Sequence, residues 1–404
     1  MIILVLNAGS SSQKSCLYRL DNFLSDIPPE PLWEAHLDWT VSGNQGVLLV
    51  KSNGIKQKIE VSDREKALEL LLNTITTGES KVLASLSEID AVGHRVVHGG
   101  AKYEQATIID SQVKKAIADL IPLAPNHNPA HLEGINVIEE ILPQVPQVAV
   151  FDTAFHSTIP LAAKVYPLPY EYYEQGIQRY GFHGISHQYC AKRTAQILDQ
   201  PLGSLKIVTC HLGNGCSLAA IKDGVCLDTT MGFSPLEGLM MGTRCGSIDP
   251  QIPIYLMQKY GLEVEEVNQI LNKKSGLQGV SGVSADLRAI LDAIAQGNSQ
   301  AKLAFDIYIH RLKSFIGAMV ASLNGLDALV FTAGGGENSS LIREKTCEEL
   351  TYLNLHLDLE KNNANPVDTN IATDNSQVAI LVIHTQEDWE IALTTRDIIS
   401  SSLI

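Results

Sequence analysis

Residues 2–20 read IILVLNAGSSSQKSCLYRL, and residues 205–224 read LKIVTCHLGNGCSLAAIKDG. Each is an apolar run that meets a polar, Gly-rich turn and returns as a second strand. A third apolar run, DALVFTAGGGEN (327–338), ends in glycines and leads into SSLIREKTCEEL, a helix with Ser339 near its cap. Strand and helix signals alternate elsewhere, which predicts α/β layers. The repeated strand–turn–strand unit predicts a duplicated fold with one phosphate-contacting hairpin per half, because Gly turns leave backbone N–H groups to face an anion. None of the three matches the GxxxxGK[ST] or GxGxxG nucleotide loops.

Composition is that of an ordinary globular chain: 404 residues, 45% hydrophobic and 19% charged. That length exceeds one compact core and predicts two domains. The most apolar stretch, 315–331, is interrupted by Ser322, Asn324 and Asp327, so it reads as a buried helix running into a buried strand. The opening MIILVLNAGSSS lacks the basic n-region of a signal peptide. Seven cysteines without a CxxC pair read as reduced thiols, and a cytoplasmic location is expected. A net charge of −15 and a pI near 5.2 argue against nucleic acid or anionic membrane as partners. On so acidic a chain, cations that handle phosphate or carboxylate must be clustered, which directs attention to Arg and His inside Gly-rich motifs.

Those motifs are VLNAGSSSQK (5–14), GHRVVHGG (93–100), HNPA (127–130), FDTAFH (151–156), RYGFHG (179–184) and HLGNG (211–215). MGFSPLEGLMMGTRCG (231–246), SGLQGVSGVSADLR (275–288), FTAGGGENS (331–339) and the segment around Glu387 continue the series. In this order, nearly end to end, they resemble the acetate kinase family, within the superfamily of actin and the sugar kinases. The resemblance implies an α/β fold of two actin-like (ribonuclease H-like) domains, residues 1–151 with 389–404 and residues 152–388, with the active site in an interdomain cleft. It implies direct transfer of the ATP γ-phosphoryl group to acetate, with a propionate or other short-chain acid kinase, or a catalytically dead ATP-binding module, as alternatives. Mg²⁺ is the expected cofactor, with Mn²⁺ in its place as an alternative, and a homodimer the expected assembly.

The resemblance also assigns residues. Arg95 and Arg244 hold the carboxylate and the transferring phosphoryl group; an arginine fork suits both and stays charged. His183 is a further transition-state donor, and Asp152 orients the acceptor and helps place the metal. Asn7 and Glu387 are the metal pair, with Asp388 the neighbour most easily confused with Glu387. Val97, Asn126, Phe182 and Pro235 line the acceptor slot with Arg95. Nucleotide contacts fall to Lys14, His211, Gly213, Asn214, Gly215, Asp286, Leu287, Arg288, Gly334, Gly335, Gly336 and Asn338, with Ser10 and Ser12 beside Lys14. His94, His98, His127, His156 and His187 read as mostly structural. Five positions depart from the family pattern: Asn126 for leucine, Ile185 for threonine, Cys245 for serine, Ser247 for aspartate and Gly335 for isoleucine. Asn126 is expected to make the acceptor slot roomier, Ser247 to alter the setting of Arg244, and Gly335 to loosen the grip on the purine.

Overall fold

The computed structural model describes residues 1–9, 12–20, 27–42, 45–64, 66–125 and 127–402. Two compact units emerge, Met1–Ala154 with Gln386–Ile404, and Phe155–Thr385. The divisions fall a few residues from the expected ones, because Asp152 directly follows a strand of the first sheet and Glu387 opens a helix packed on that sheet.

The first unit is built on β1 (Ile2–Ala8), β2 (Ser12–Arg19), β3 (Trp33–Ser42), β4 (Gln45–Ser52), β5 (Ile55–Val61), β6 (Ala91–Val96), β7 (Thr107–Ile108) and β8 (Gln147–Phe151), in the order β5-β4-β3-β2-β1-β6-β8-β7. The second has β9 (Lys206–Leu212), β10 (Cys216–Lys222), β11 (Val225–Thr229), β12 (Ala328–Thr332), β13 (Thr369–Asn370) and β14 (Ala379–Val382), in the order β11-β10-β9-β12-β14-β13. Both sheets follow one plan. An antiparallel meander, β1-β2-β3 or β9-β10-β11, is extended past its first strand by two parallel strands, β6 and β8 or β12 and β14. A short antiparallel strand closes the far edge in each. The duplication read from the two hairpins is therefore present in the topology.

Parallel strands covered on both faces read as unbroken apolar runs. All five residues of β8 (QVAVF) and of β12 (ALVFT) are buried. Trp33, Leu48, Leu71, Leu72 and Ile75 anchor the larger core of the first unit, and the Trp33 indole N–H donates to Thr74 at 3.1 Å. The apolar stretch near 315–331 is the end of helix Ser299–Leu323 followed by β12.

The helix that ends the described residues packs where sequence order would not place it. Helix Gly184–Leu198, which follows β8, lies on β9 and β12. Helix Glu387–Ser402, which follows β14, lies on β1, β6 and β8. Its approach to β6 is close: a Cβ on Gly93 would stand 2.3 Å from Thr395 Oγ1 and 2.8 Å from Ile391 Cγ2. Only glycine lets that helix seat.

Candidate active site

In the first unit, β1, β6 and β8 are adjacent, with β6 parallel to both, so their C-terminal ends bring Asn7, Arg95 and Asp152 together. The Arg95 fork grips Asp152: Nε lies 3.1 and 3.2 Å from the two carboxylate oxygens and Nη2 2.6 Å from Oδ2. Nη1 donates to Asn7 Oδ1 at 3.2 Å. Among the described residues this leaves one N–H on each terminal nitrogen for a ligand. Burial opposes the charge on Arg95, but Asp152 and Glu387 outweigh it and push its pKa up.

Asn7 Nδ2 donates to Asp388 Oδ1 at 3.0 Å, so its amide is oriented from both sides. Lys14 Nζ sits 2.7 Å from Asp388 Oδ2. Asp388 is 3% exposed and thus an internal anchor for β1 and β2. Glu387, one residue earlier, meets among the described residues only a 3.5 Å contact from Asn7. Burial, then the charges of Asp152 and Asp388, raise the Glu387 pKa against the pull of Arg95. A carboxylate crowded by like charge and only weakly bonded suits a cation, and nucleotide-bound Mg²⁺ takes one or two carboxylates plus waters and phosphate oxygens. Among the described residues no three His, Cys, Asp or Glu side chains converge as a ready-made metal cage.

The HNPA segment positions this cluster. His131, in helix Asn128–Ile141, bonds the Ala8 carbonyl through Nε2 at 2.9 Å and accepts the Val97 N–H at Nδ1, 3.3 Å. Both bonds need a neutral ring, and burial lowers its pKa to about 4. Val97 is buried. Asn126 and Ser10 lie outside the described residues.

In the second unit the RYGFHG segment is held at every step. Arg179 donates to the carbonyls of Thr229, Thr230 and Met231 and pairs with Glu237 at 2.7 Å. Gly181 has φ +76°, and a Cβ there would meet His156 at 2.6 Å. Phe182 is 1% exposed, its carbonyl bonded by His156 Nε2 at 3.0 Å. His183 then takes φ +57°, an uncommon left-handed conformation, at the start of helix Gly184–Leu198.

That backbone turn stacks His183 on His211, ring centroids 4.1 Å apart. His183 Nδ1 lies 2.9 Å from Ser217 Oγ, which is also 2.7 Å from His187 Nε2. His187 is wholly buried, and burial with neighbouring His156 and His211 drives its pKa well below 6.5. His211 Nδ1 meets Ser186 Oγ at 2.9 Å. Hydroxyls thus orient these imidazoles.

Arg244 completes the group. Its Nη1 donates to the Pro235 carbonyl at 2.8 Å, yet among the described residues it has no carboxylate partner. Burial lowers its pKa. A Cβ on Gly215 would lie 3.4 Å from Arg244 Nη1 and 3.5 Å from His183 Nε2. Two cation-capable donors thus converge over a glycine, with the HLGNG turn closed by Gly213 N–H to Gly215 O at 3.1 Å. That turn spends the Gly213 N–H internally, as the Gly9 N–H is spent on Ser12 O at 2.6 Å, so neither is left for an anion. Asn214 is exposed, and its Oδ1 abuts Gly242, where a Cβ would stand 2.1 Å away.

Ser247 stitches the MGFSP loop: Gly238 N–H donates to its Oγ at 3.0 Å, its own N–H donates to Gly238 O at 2.9 Å, and its carbonyl accepts from Arg311 Nη1 at 2.7 Å. Ile185 is buried, and the Cys245 N–H bonds the Leu271 carbonyl.

The glycines 334–336 form a short helix, Ala333–Asn338, where a loop was expected. Asp286 caps helix Leu287–Ala295 and pairs with the exposed Arg288 at 2.7 Å. Asn338 Nδ2 donates to Gly334 O at 3.0 Å. A Cβ on Gly335 would strike the Leu212 carbonyl at 2.8 Å and meet Leu287 Cδ1 at 3.3 Å. The room an isoleucine would need is filled, so the expected loosening at Gly335 does not follow. Two residues missed in the sequence hold this element. Glu337 Oε1 accepts the Ala333 N–H at 2.8 Å, where Ala333 has φ +61°. Buried Arg343 donates to the Gly336 and Glu337 carbonyls, each at 2.8 Å, and to Asn362, and burial lowers its pKa to about 10. Charged residues one and seven positions past the glycine run were the only signal in the sequence for them.

The sequence profile of the acetokinase family matches residues 2–393. The chain belongs to the acetokinase family. Among curated acetokinase relatives, the acetate kinase of Rippkaea orientalis is 62% identical over 396 residues, 97% of this chain and 98% of that one. That of Gloeothece citriformis is 61% identical over 395 residues, with the same coverage of each. The crystal structure of Porphyromonas gingivalis acetate kinase superposes with TM-score 0.89 at 40% identity, covering 98% of this chain and 99% of that one. A Francisella tularensis propionate kinase gives 0.88 at 39%, with the same coverage. The acetokinase fold, two α/β actin-like sheets in one chain, is the one described above.

Proposed function

We infer that the chain catalyses reversible transfer of the ATP γ-phosphoryl group to acetate, giving acetyl phosphate and ADP. The observation that carries this reading is Arg244, without an acid partner among the described residues and converging with His183 over Gly215. Three equatorial oxygens carry charge in a phosphoryl-transfer transition state, and fixed donors beside them are what the reaction needs. A carboxylate oxygen attacks the γ-phosphorus, the bond to the β,γ-bridging oxygen breaks, and ADP leaves. The acceptor is already ionised, so no strong base is required. We assign Arg95, held by Asp152 and Asn7, to the acceptor carboxylate, with Val97, Phe182 and Pro235 as the expected apolar surround and Asn126 as its one polar wall. His211, Gly213, Asn214, Gly215, Lys14 and the segments 286–288 and 334–338 remain assigned to the nucleotide. Glu387 is the carboxylate best suited to hold Mg²⁺, or Mn²⁺, with Asn7 orienting the groups around it; the ion would neutralise phosphate charge when bound.

The names of the 57–62% identical relatives, all acetate kinases, favour acetate over propionate. A coupled hydroxamate assay with ATP, Mg²⁺ and either acid tests this: acetyl phosphate should form with the higher kcat/KM. No acyl phosphate from any short acid would sink the proposal. We also assign a homodimer, supported by helix Gln251–Tyr260, which buries none of its residues yet carries exposed Ile252, Ile254 and Tyr255; light scattering should give twice the chain mass. Seven free cysteines, six of them buried, support the cytoplasm as the compartment. Among the described residues no helix is long and apolar enough to cross a membrane.

A further inference from the structure

Behind the first hairpin lies a cavity that the reaction does not use. It measures about 70 Å³. The β1–β2 turn forms one wall, through Ala8, Gly9, Ser12 and Gln13. Leu37, Trp39 and Leu68 give an apolar floor, and one face of helix Asn128–Ile141 closes it with Ala130, Glu133, Gly134 and Val137. The Arg64 guanidinium also lines it, 5.6 Å from the centre of the Trp39 ring and without an acid partner among the described residues.

Gly134 is hard to explain by packing. It sits inside a helix, where glycine is disfavoured, and a Cβ there would meet nothing within 4 Å. A side chain at 134 would extend into open space on the cavity side, and glycine keeps that space clear.

We propose that this cavity is a regulatory site for a short-chain carboxylate of about three to five carbons, its carboxylate on Arg64 and its apolar body against Trp39, Leu68 and Val137. One water occupies roughly 10–15 Å³ in this measure of volume, so the cavity holds about five heavy atoms or slightly more. The occupant would touch Ala8 and Gln13, the residues next to Asn7 and Lys14. It would also touch the helix whose His131 grips the Ala8 carbonyl and the Val97 N–H. Ligand in the cavity therefore stiffens the hairpin that sets Asn7 and Arg95. The regulatory effect, unlike the binding, rests on the function proposed above.

The test uses butyrate as probe, with sodium chloride as the ionic control, on the full chain, Arg64→Gln and Gly134→Leu. Calorimetry should show butyrate binding that saturating acetate does not abolish, weakened at least tenfold in both variants. Neither residue belongs to the catalytic machinery, so both variants should retain normal kcat without butyrate. Butyrate should alter the natural enzyme's kcat in a way excess acetate does not relieve, and this response should vanish in both variants. Butyrate binding fully displaced by acetate and unaffected by both substitutions would overturn the proposal. So would no binding at all. Gly134→Leu meets no steric obstacle, and Arg64→Gln decides alone should the leucine variant fail to fold. Acetate-resistant, Arg64-dependent binding in a chain that makes no acyl phosphate would sink the proposed function and leave the site standing.

Discussion

Arg244 is a buried positive charge without a counter-charge among the described residues, an arrangement that costs stability and persists where a ligand supplies the anion. Arg244→Leu should therefore lower kcat by roughly a hundredfold or more while leaving Tm unchanged or raised; a folded variant with near-normal kcat removes it from the chemistry. The neighbouring acids Glu387 and Asp388 part company in the same way. Glu387→Ala should raise the Mg²⁺ needed for half-maximal rate at fixed ATP. Asp388→Asn loses the Lys14 ion pair and strains the Asn7 contact, so it should lower Tm with little change in that Mg²⁺ requirement. If the Mg²⁺ shift appears only in the Asp388 variant, the metal carboxylate has been misassigned. Gly335→Ile should weaken ATP binding, because its Cβ would press on a backbone oxygen that has nowhere to go. Tighter ATP binding in that variant would show that the short helix yields. Sequence alone predicted the opposite sign here. A family pattern says which side chain is missing, but only packing says whether Leu287 has taken the space.

Elements were the most legible level. Both hairpins, the capped helix after Ser339 and the helix-to-strand run near 315–331 follow from periodicity and caps, which are local signals. Glu337, Arg343 and the Ser217 bridge between two histidines were not legible, because their partners lie far along the chain or on another element. Arg343 shows what such a residue is for: it ties the carbonyl end of the glycine helix to Asn362. Arg343→Ala would strand several buried acceptors, at about 1–3 kcal/mol each, and should lower the urea midpoint clearly. An unchanged midpoint would mean that water replaces it. Gly93 fixes another element. Gly93→Val should displace helix Glu387–Ser402, costing roughly 1–3 kcal/mol, and should raise the Mg²⁺ requirement as well, because Glu387 rides on that helix. Loss of stability with normal Mg²⁺ dependence would show that the first turn holds its place without the rest.

At the scale of the whole molecule, acid should unfold the chain through its buried imidazoles. Burial lowers His94 and His131 from the ordinary 6.5 to about 4 and His187 further still. The rings are neutral in the fold but take protons when unfolded. Stability should therefore fall as pH drops below 6.5 and level off below about 4 for the first two. A shift of that size contributes about 3 kcal/mol per ring. His94→Gln should flatten this dependence in urea melts between pH 7 and 4.5; an unchanged slope would put the burden on other groups. The return of helix Glu387–Ser402 to the first unit has a consequence of another kind. The first sheet is translated early, yet the helix that covers β1 and β6 and carries Glu387 follows only after the whole second unit. An N-terminal unit emerging from the ribosome must wait, apolar face uncovered, through more than two hundred further residues. During that interval it is a client for chaperones, and arrested nascent chains ending before residue 387 should be cut by protease in the first 154 residues far faster than released full-length protein.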